Sequence, residues 1–179
     1  ADAGLVKIDD KLDEIIALTK SLTATYLPNE ISNFEGAQLD AELNELKAEI
    51  DTIAGNTEFQ GTRLPDGGSG AGGEFEAGFH VGTGAGSEDD ITVSIAKADV
   101  ASLSSGLNSG NLRSQAAATT TYADAQEALR VLNKICGGIS GGLERFGAVQ
   151  KDAAAFGVRV EFARADLADP TIAMDFSQI

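Results

Sequence analysis

Apolar residues along this chain return at alternating steps of three and four in three separate stretches. The first is Leu5, Ile8, Leu12, Ile15, Thr19 and Leu22; the second is Leu39, Leu43, Leu46, Ile50 and Ile53. The third runs Leu129, Leu132, Cys136, Ile139, Leu143, Phe146, Gln150 and Ala153. A repeat of this kind keeps one narrow stripe of a helix turned toward a partner helix along its whole length. It predicts helices over residues 5–22, 38–54 and from about 122 to at least 155, each needing the others for burial. The candidate rod core is therefore Leu12, Ile15, Leu43, Leu46, Ile50, Ile53, Leu129, Leu132, Ile139, Leu143 and Phe146. The fold class that follows is mainly α, an elongated helical rod, with a small β-hairpin region inserted once.

The insertion is visible as a change of period. Phe75, Ala77, Phe79 and Val81 alternate, as do Ile91, Val93 and Ile95, the pattern of half-buried strands. Ahead of them, Phe59, Gly61 and Arg63 form a short extended piece ending at the turn signal Pro65, Asp66, Gly67. The segment from Thr23 to Gly36 carries Pro28, Asn29, Ser32 and Asn33 and reads as a connector. Residues 101–121, rich in Ser, Gly, Asn, Ala and Thr, read as an irregular link. The chain thus divides into N-terminal helices (1–56), a hairpin region (57–100), a link (101–121) and a returning helix with a tail (122–179), Asp169 and Pro170 ending any helix.

Composition narrows the function classes. A net charge of -15, from 28 acidic against 13 basic side chains, opposes binding to nucleic acid or an anionic membrane. The longest apolar runs fall short of the roughly 20 residues of a membrane span, and no basic-then-apolar leader stands at Ala1. One cysteine and one histidine leave no internal disulfide and no structural zinc site.

Four features invite a chemical reading, each with a plainer alternative. Cys136 occupies a seam position, where it reads as a small core residue or as a reactive thiol. His80 alternates out of phase with Phe79 and Val81, so it points outward from a strand as a solvated side chain rather than a catalytic base. Gly82, Gly84 and Gly86 lack the lysine, hydroxyl and following helix of a phosphate loop, and Glu88, Asp89 and Asp90 lack a calcium loop; both read as hairpin loop. Gly137, Gly138, Gly141 and Gly142 stand inside the last helix, and read as close packing of a neighbouring helix or as a soft point in the rod. No catalytic, metal or cofactor set emerges, and the expectation is no enzyme and no cofactor.

The order of parts resembles bacterial flagellin. The resemblance rests on Gly4-Leu5 with Ile8, Leu12, Ile15 and Leu18, on Leu43, Leu46, Glu49, Ile50 and Asp51, and above all on the stretch from Asn56 to Leu64 with Thr57, Phe59, Gly61 and Leu64. Gln60 replaces the asparagine usual in that motif. Phe79-His80-Val81-Gly82 with the following Asp89 to Val93, and Gly147 to Gln150, are further matches.

What the resemblance implies is a central rod-domain fragment of a filament subunit that lacks the terminal polymerisation helices. Such a subunit is secreted without a signal peptide into the extracellular flagellum, with copies of itself, an export chaperone and a cap protein as partners. The positions equivalent to those read by the animal flagellin receptor fall on Leu18 and Glu42, with Glu14 where an arginine is usual, which implies weak or absent receptor activation. Alternatives are a hook–filament junction protein, or a cell-surface homologue that captures a polysaccharide through Arg113, Arg130, Lys134, Arg145, Lys151 and Arg159.

Overall fold

The computed structural model describes residues 2–25, 33–59, 62–63, 74–81 and 90–168. In chain order they form α1 (Asp2–Thr25), α2 (Asn33–Asn56), β1 (Glu58–Phe59), β2 (Thr62–Arg63), β3 (Glu74–His80), β4 (Asp90–Ala96), α3 (Val100–Leu103), α4 (Ser105–Ser109) and α5 (Gln115–Ala168). The fold is mainly helical with small paired strands: β1 lies antiparallel to β2, Glu58 opposite Arg63 and Phe59 opposite Thr62, and β3 pairs with β4. The short extended piece expected from Phe59 to Arg63 thus holds strand residues from two paired strands rather than one. Gly61 and Leu64 lie outside the described residues.

Two compact units emerge. The first holds the described residues up to Gly78 and those of Thr92–Ser140; the second holds Phe79, His80, Val81, Asp90, Ile91 and α5 from Gly141 onward.

In the first unit one cluster of buried side chains joins all its helices. α1 contributes Leu5, Ile8, Leu12, Ile15 and Leu22, all at most 4% exposed, and the seam polar residue Thr19 is also buried, its hydroxyl donating to the Ile15 carbonyl at 2.8 Å. Each fully buried leucine or isoleucine contributes about 1.5–3 kcal/mol. In α1 the seam stands where the spacing places it.

In α2 and α5 the centre of the stripe lies one residue from the expected line. α2 buries Asp40, Leu43, Lys47, Ile50 and Ala54, while Leu39, Leu46 and Ile53 are half-buried at its flank. α5 buries Ala118, Thr121, Ala125, Ala128, Leu132 and Ile135; Leu129, Cys136 and Ile139 flank it. Leucines and isoleucines mark a stripe loudly from either side of its midline, whereas alanine and polar residues mark it faintly even when they sit at its centre. Leu143 corrects the expectation outright, because it is 66% exposed and belongs to no core, and Phe146 is only half-buried.

The link is also not irregular. α3 and α4 are single turns, and the start of α5 lies seven residues before the expected Tyr122. Serines and an aspartate that read as loop composition act instead as helix caps: Asp99 Oδ1 accepts from Ser102 N, Ser104 Oγ from Leu107 N, and Ser114 Oγ from Ala117 N. Between the caps Val100, Leu103, Leu107 and Leu112 are at most 2% exposed and complete the core.

Candidate functional site

Two polar residues buried on α2, Asp40 and Lys47, form with the exposed Asp51 the most organised polar row among the described residues. Asp40 and Lys47 are seven apart and Asp51 follows four later, so the three share one face of the helix. That face meets the α3–α4 segment and the turn into α5. Asp40 Oδ1 accepts from the Leu112 amide at 2.5 Å, and Oδ2 accepts from Arg113 Nε at 2.5 Å. Lys47 Nζ donates to the carbonyls of Gly110 at 2.8 Å and Asn108 at 3.3 Å. Asp51 Oδ1 accepts from Val100 N at 2.9 Å.

These contacts satisfy backbone groups that the two single-turn helices cannot satisfy themselves, and no buried side-chain polar atom among the described residues lacks a partner. Burial holds the Lys47 ammonium below its ordinary pKa, against the opposing pull of the Asp40 charge. The Gly110 turn fits only because residue 110 has no side chain: an added Cβ would stand 2.8 Å from Thr121 Oγ1 and 3.2 Å from the Leu107 carbonyl oxygen. Thr121 Oγ1 in turn donates to the Asn111 carbonyl at 3.1 Å. Apart from the Arg113 side chain on Asp40, the partners of this row are the chain's own backbone groups, so the arrangement positions the α3–α4 segment.

The sequence reading passed over Asp40 and Lys47 because they interrupt an apolar seam. A signal was present: keeping Leu43 and Ile50 and exchanging the order of the three and four steps aligns Asp40, Leu43, Lys47, Ile50 and Ala54.

The other singled-out residues lie apart from one another. Glu14 is exposed and pairs with Lys11 at 2.9 Å, and Lys11 also reaches Glu49 at 2.9 Å; these carboxylates raise the Lys11 pKa. Leu18 packs half-buried against the core, and Glu42 is exposed on α2. Thr57, half-buried, donates to the Ile53 carbonyl at 2.7 Å and closes against Gly4, where a side chain would collide with it. Phe59 stands in β1 opposite Thr62.

His80 is exposed, but so is Phe79 at 45%, so the expected alternation of inward and outward residues does not hold at this end of β3; His80 Nδ1 lies 2.8 Å from Asp90 Oδ1 across the β3–β4 pair. Glu88 and Asp89 lie outside the described residues, as do Gly82, Gly84 and Gly86. Cys136 is half-buried on α5. Gly137, Gly138 and Gly141 face open space rather than a neighbouring helix, which removes the close-packing reading for them.

Of the basic residues that an anionic polymer would need, Arg113 is held by Asp40 and Arg130 by Glu127. Lys134 borders an open groove of about 320 Å³ with Ser94, Ala96, Val131, Ile135 and Gly138. No group of three or more His, Cys, Asp or Glu residues that could hold a metal occurs among the described residues. No described helix is long and apolar enough to cross a membrane.

Among solved structures the chain is similar to a flagellin from Bacillus cereus, with 22% identity over 83% of this chain and 77% of that one and a TM-score of 0.58. It also matches FliC from Burkholderia pseudomallei at 24% identity, over 57% of this chain and 36% of that one, with a TM-score of 0.43. The first likeness establishes the fold as that of the Bacillus cereus flagellin. No protein-family model matches the sequence, and no curated protein matches it.

Proposed function

We propose that the chain is a structural, non-enzymatic subunit of a bacterial flagellar filament, exported without a signal peptide and assembled outside the cell. The observation that carries this reading is the fold shared with the Bacillus cereus flagellin over 83% of the chain. The sequence from Thr57 to Leu64 resembles the flagellin hairpin motif, and its described members Thr57 and Phe59 follow directly on α2. A chain whose buried polar groups are spent on its own backbone is suited to bearing load rather than to turning over a substrate.

Partners on this reading are further copies of the subunit, an export chaperone and a cap protein. Receptor activation is weak, because Glu14 places a carboxylate where the activating ligands present an arginine. A reporter-cell response equal to that of an activating flagellin would refute this part.

The whole reading is tested by replacing the matched region of the Bacillus cereus flagellin with this chain and imaging the product by electron microscopy. Filaments are expected. A folded, helical chimera that stays soluble under conditions where the parent polymerises would overturn the proposal.

A further inference from the structure

Residues 99–118 carry a repeat of five that the heptad pattern does not show. Blocks 99–103, 104–108, 109–113 and 114–118 open on Asp99, Ser104, Ser109 and Ser114, each a residue type that caps a helix. Three of the four blocks make the same two hydrogen bonds. The opening side chain accepts from the amide three residues on, at Ser102, Leu107 and Ala117. The opening carbonyl accepts from the amide four residues on: Asp99 from Leu103 at 2.9 Å, Ser104 from Asn108 at 3.0 Å and Ser114 from Ala118 at 2.9 Å. Those blocks are the single turns α3 and α4 and the first turn of α5, and Ser104 both ends one helix and opens the next.

The third block has the same opening serine and the same leucine in fourth place as the second, yet its groups are held elsewhere. The Leu112 amide, which stands where Ser109 would cap it, donates to Asp40 Oδ1 at 2.5 Å. The Gly110 carbonyl accepts from Lys47 and the Asn111 carbonyl from Thr121. The Arg113 amide donates to Asn111 Oδ1 at 3.3 Å, and the Ser109 hydroxyl turns back to the Ser105 and Gly106 carbonyls at 3.2 Å. Gly110 is extended, at φ -62° and ψ 148°.

We propose that residues 109–113 are a two-state element: extended while Asp40 holds the Leu112 amide, and a third capped turn, opened by Ser109, when Asp40 releases it. The local sequence supplies what the second state needs, since the Ser109 hydroxyl and carbonyl and the amides of Leu112 and Arg113 fall within one turn. What α2 adds is the stronger acceptor, because a carboxylate on an amide outweighs a hydroxyl. The exchange has a cost. Coiling residues 110–113 draws the Gly110 carbonyl away from Lys47 and turns Leu112, which is fully buried, on its seat. It also shortens the path from α4 into α5. Four residues rise about 6 Å as helix and up to about 13 Å extended, so the two states differ by up to about 7 Å. Asp40 is thereby the residue that sets where α5 takes up the chain. Every group involved lies in the first compact unit, and the switch stands or falls independently of the proposed function.

Nuclear magnetic resonance of the 179-residue chain reads both states, through the Cα shifts of residues 110–113 and the exchange rate of the Leu112 amide. Asp40→Ala should move those shifts toward helical values and speed Leu112 exchange about thirtyfold. Ser109→Ala alone should leave both unchanged, because the serine does not hold the amide while Asp40 is present. Added to Asp40→Ala, it should abolish the helical shifts and speed exchange about fivefold further. Asp40→Asn, which keeps an acceptor in place, should match the parent. Residues 110–113 that stay non-helical in Asp40→Ala overturn the proposal, as does an Asp40→Ala chain that unfolds. Helical shifts that survive in the double variant overturn it as well, since Ser109 would then not be their cap.

Discussion

Asp40 on α2 receives the amide of Leu112, seventy-two residues later in the chain, at 2.5 Å. The aspartate side chain is only 10% exposed, whereas Arg113, which approaches its second oxygen, is 76% exposed. The two contacts therefore differ in weight. One satisfies a buried backbone donor, and the other is a surface charge resting on a mostly covered carboxylate.

Replacing Asp40 by alanine should accordingly cost about 2–3 kcal/mol, since the Leu112 N–H loses its acceptor in a site water does not readily enter. Arg113→Ala should cost about 1 kcal/mol or less. Urea denaturation of the two variants measures both; equal losses would show that the ion pair, not the amide, is what Asp40 serves.

The glycines of α5 divide from those of the α4–α5 turn. At Gly137, Gly138 and Gly141 a Cβ meets nothing, so alanine at each should stabilise by about 0.5–1 kcal/mol through reduced freedom of the unfolded chain. Gly110→Ala should destabilise by about 1–3 kcal/mol, because Thr121 and the Leu107 carbonyl stand too close. Thermal denaturation decides it; a stabilising Gly110→Ala would mean that the turn relaxes more freely than its contacts suggest.

What the sequence disclosed follows from which residues mark a pattern. The buried stripe of α1 was legible because large aliphatic side chains sit on its midline from Leu5 to Leu22, although the helix runs three residues beyond the expected bounds at each end. α2 and α5 were legible as helices but not in phase, since Asp40, Lys47, Ala118, Ala125 and Ala128 hold the midline and carry little apolar signal. The α3–α4 segment was hidden for a different reason. Its serines are caps, and capping depends on which amide lies three residues on, so the composition of a link and that of two short capped helices look alike. The polar row of α2 was hidden because its partners lie more than forty residues away in sequence, at Val100, Asn108, Gly110 and Leu112.

Asp9 provides a test on the acid side. Its pKa is raised, chiefly by desolvation and then by the charges of Asp13 and Asp10. An acid whose folded pKa lies above the unfolded value binds more protons when folded, so this residue's contribution grows as pH falls through the folded pKa toward 3.8. Asp9→Asn should therefore raise stability at neutral pH and lose that advantage progressively in acid. Paired denaturation curves at pH 7 and pH 4 report the difference; an advantage that widened toward pH 4 would reverse the assigned sign.

Lys47 and Lys11 act in opposite directions on the alkaline side, in windows that meet at 10.5. Burial lowers the Lys47 pKa in the folded chain, so between that folded value and 10.5 the unfolded state binds more protons and stability rises with pH. Glu49 and Glu14 raise the Lys11 pKa, so its stabilisation is fully present below 10.5 and is lost as pH climbs through the higher folded value. Lys47→Met removes the first contribution while leaving the second, at the expense of the hydrogen bonds to Gly110 and Asn108. The difference in unfolding free energy between the parent and Lys47→Met should grow in the parent's favour as pH rises toward 10.5, and become flat beyond it. The same difference taken with Lys11→Met should be flat below 10.5 and fall above it. Stability profiles that failed to separate on the two sides of that value would show that the Lys47 ammonium is solvated in the folded chain rather than held against the carbonyls.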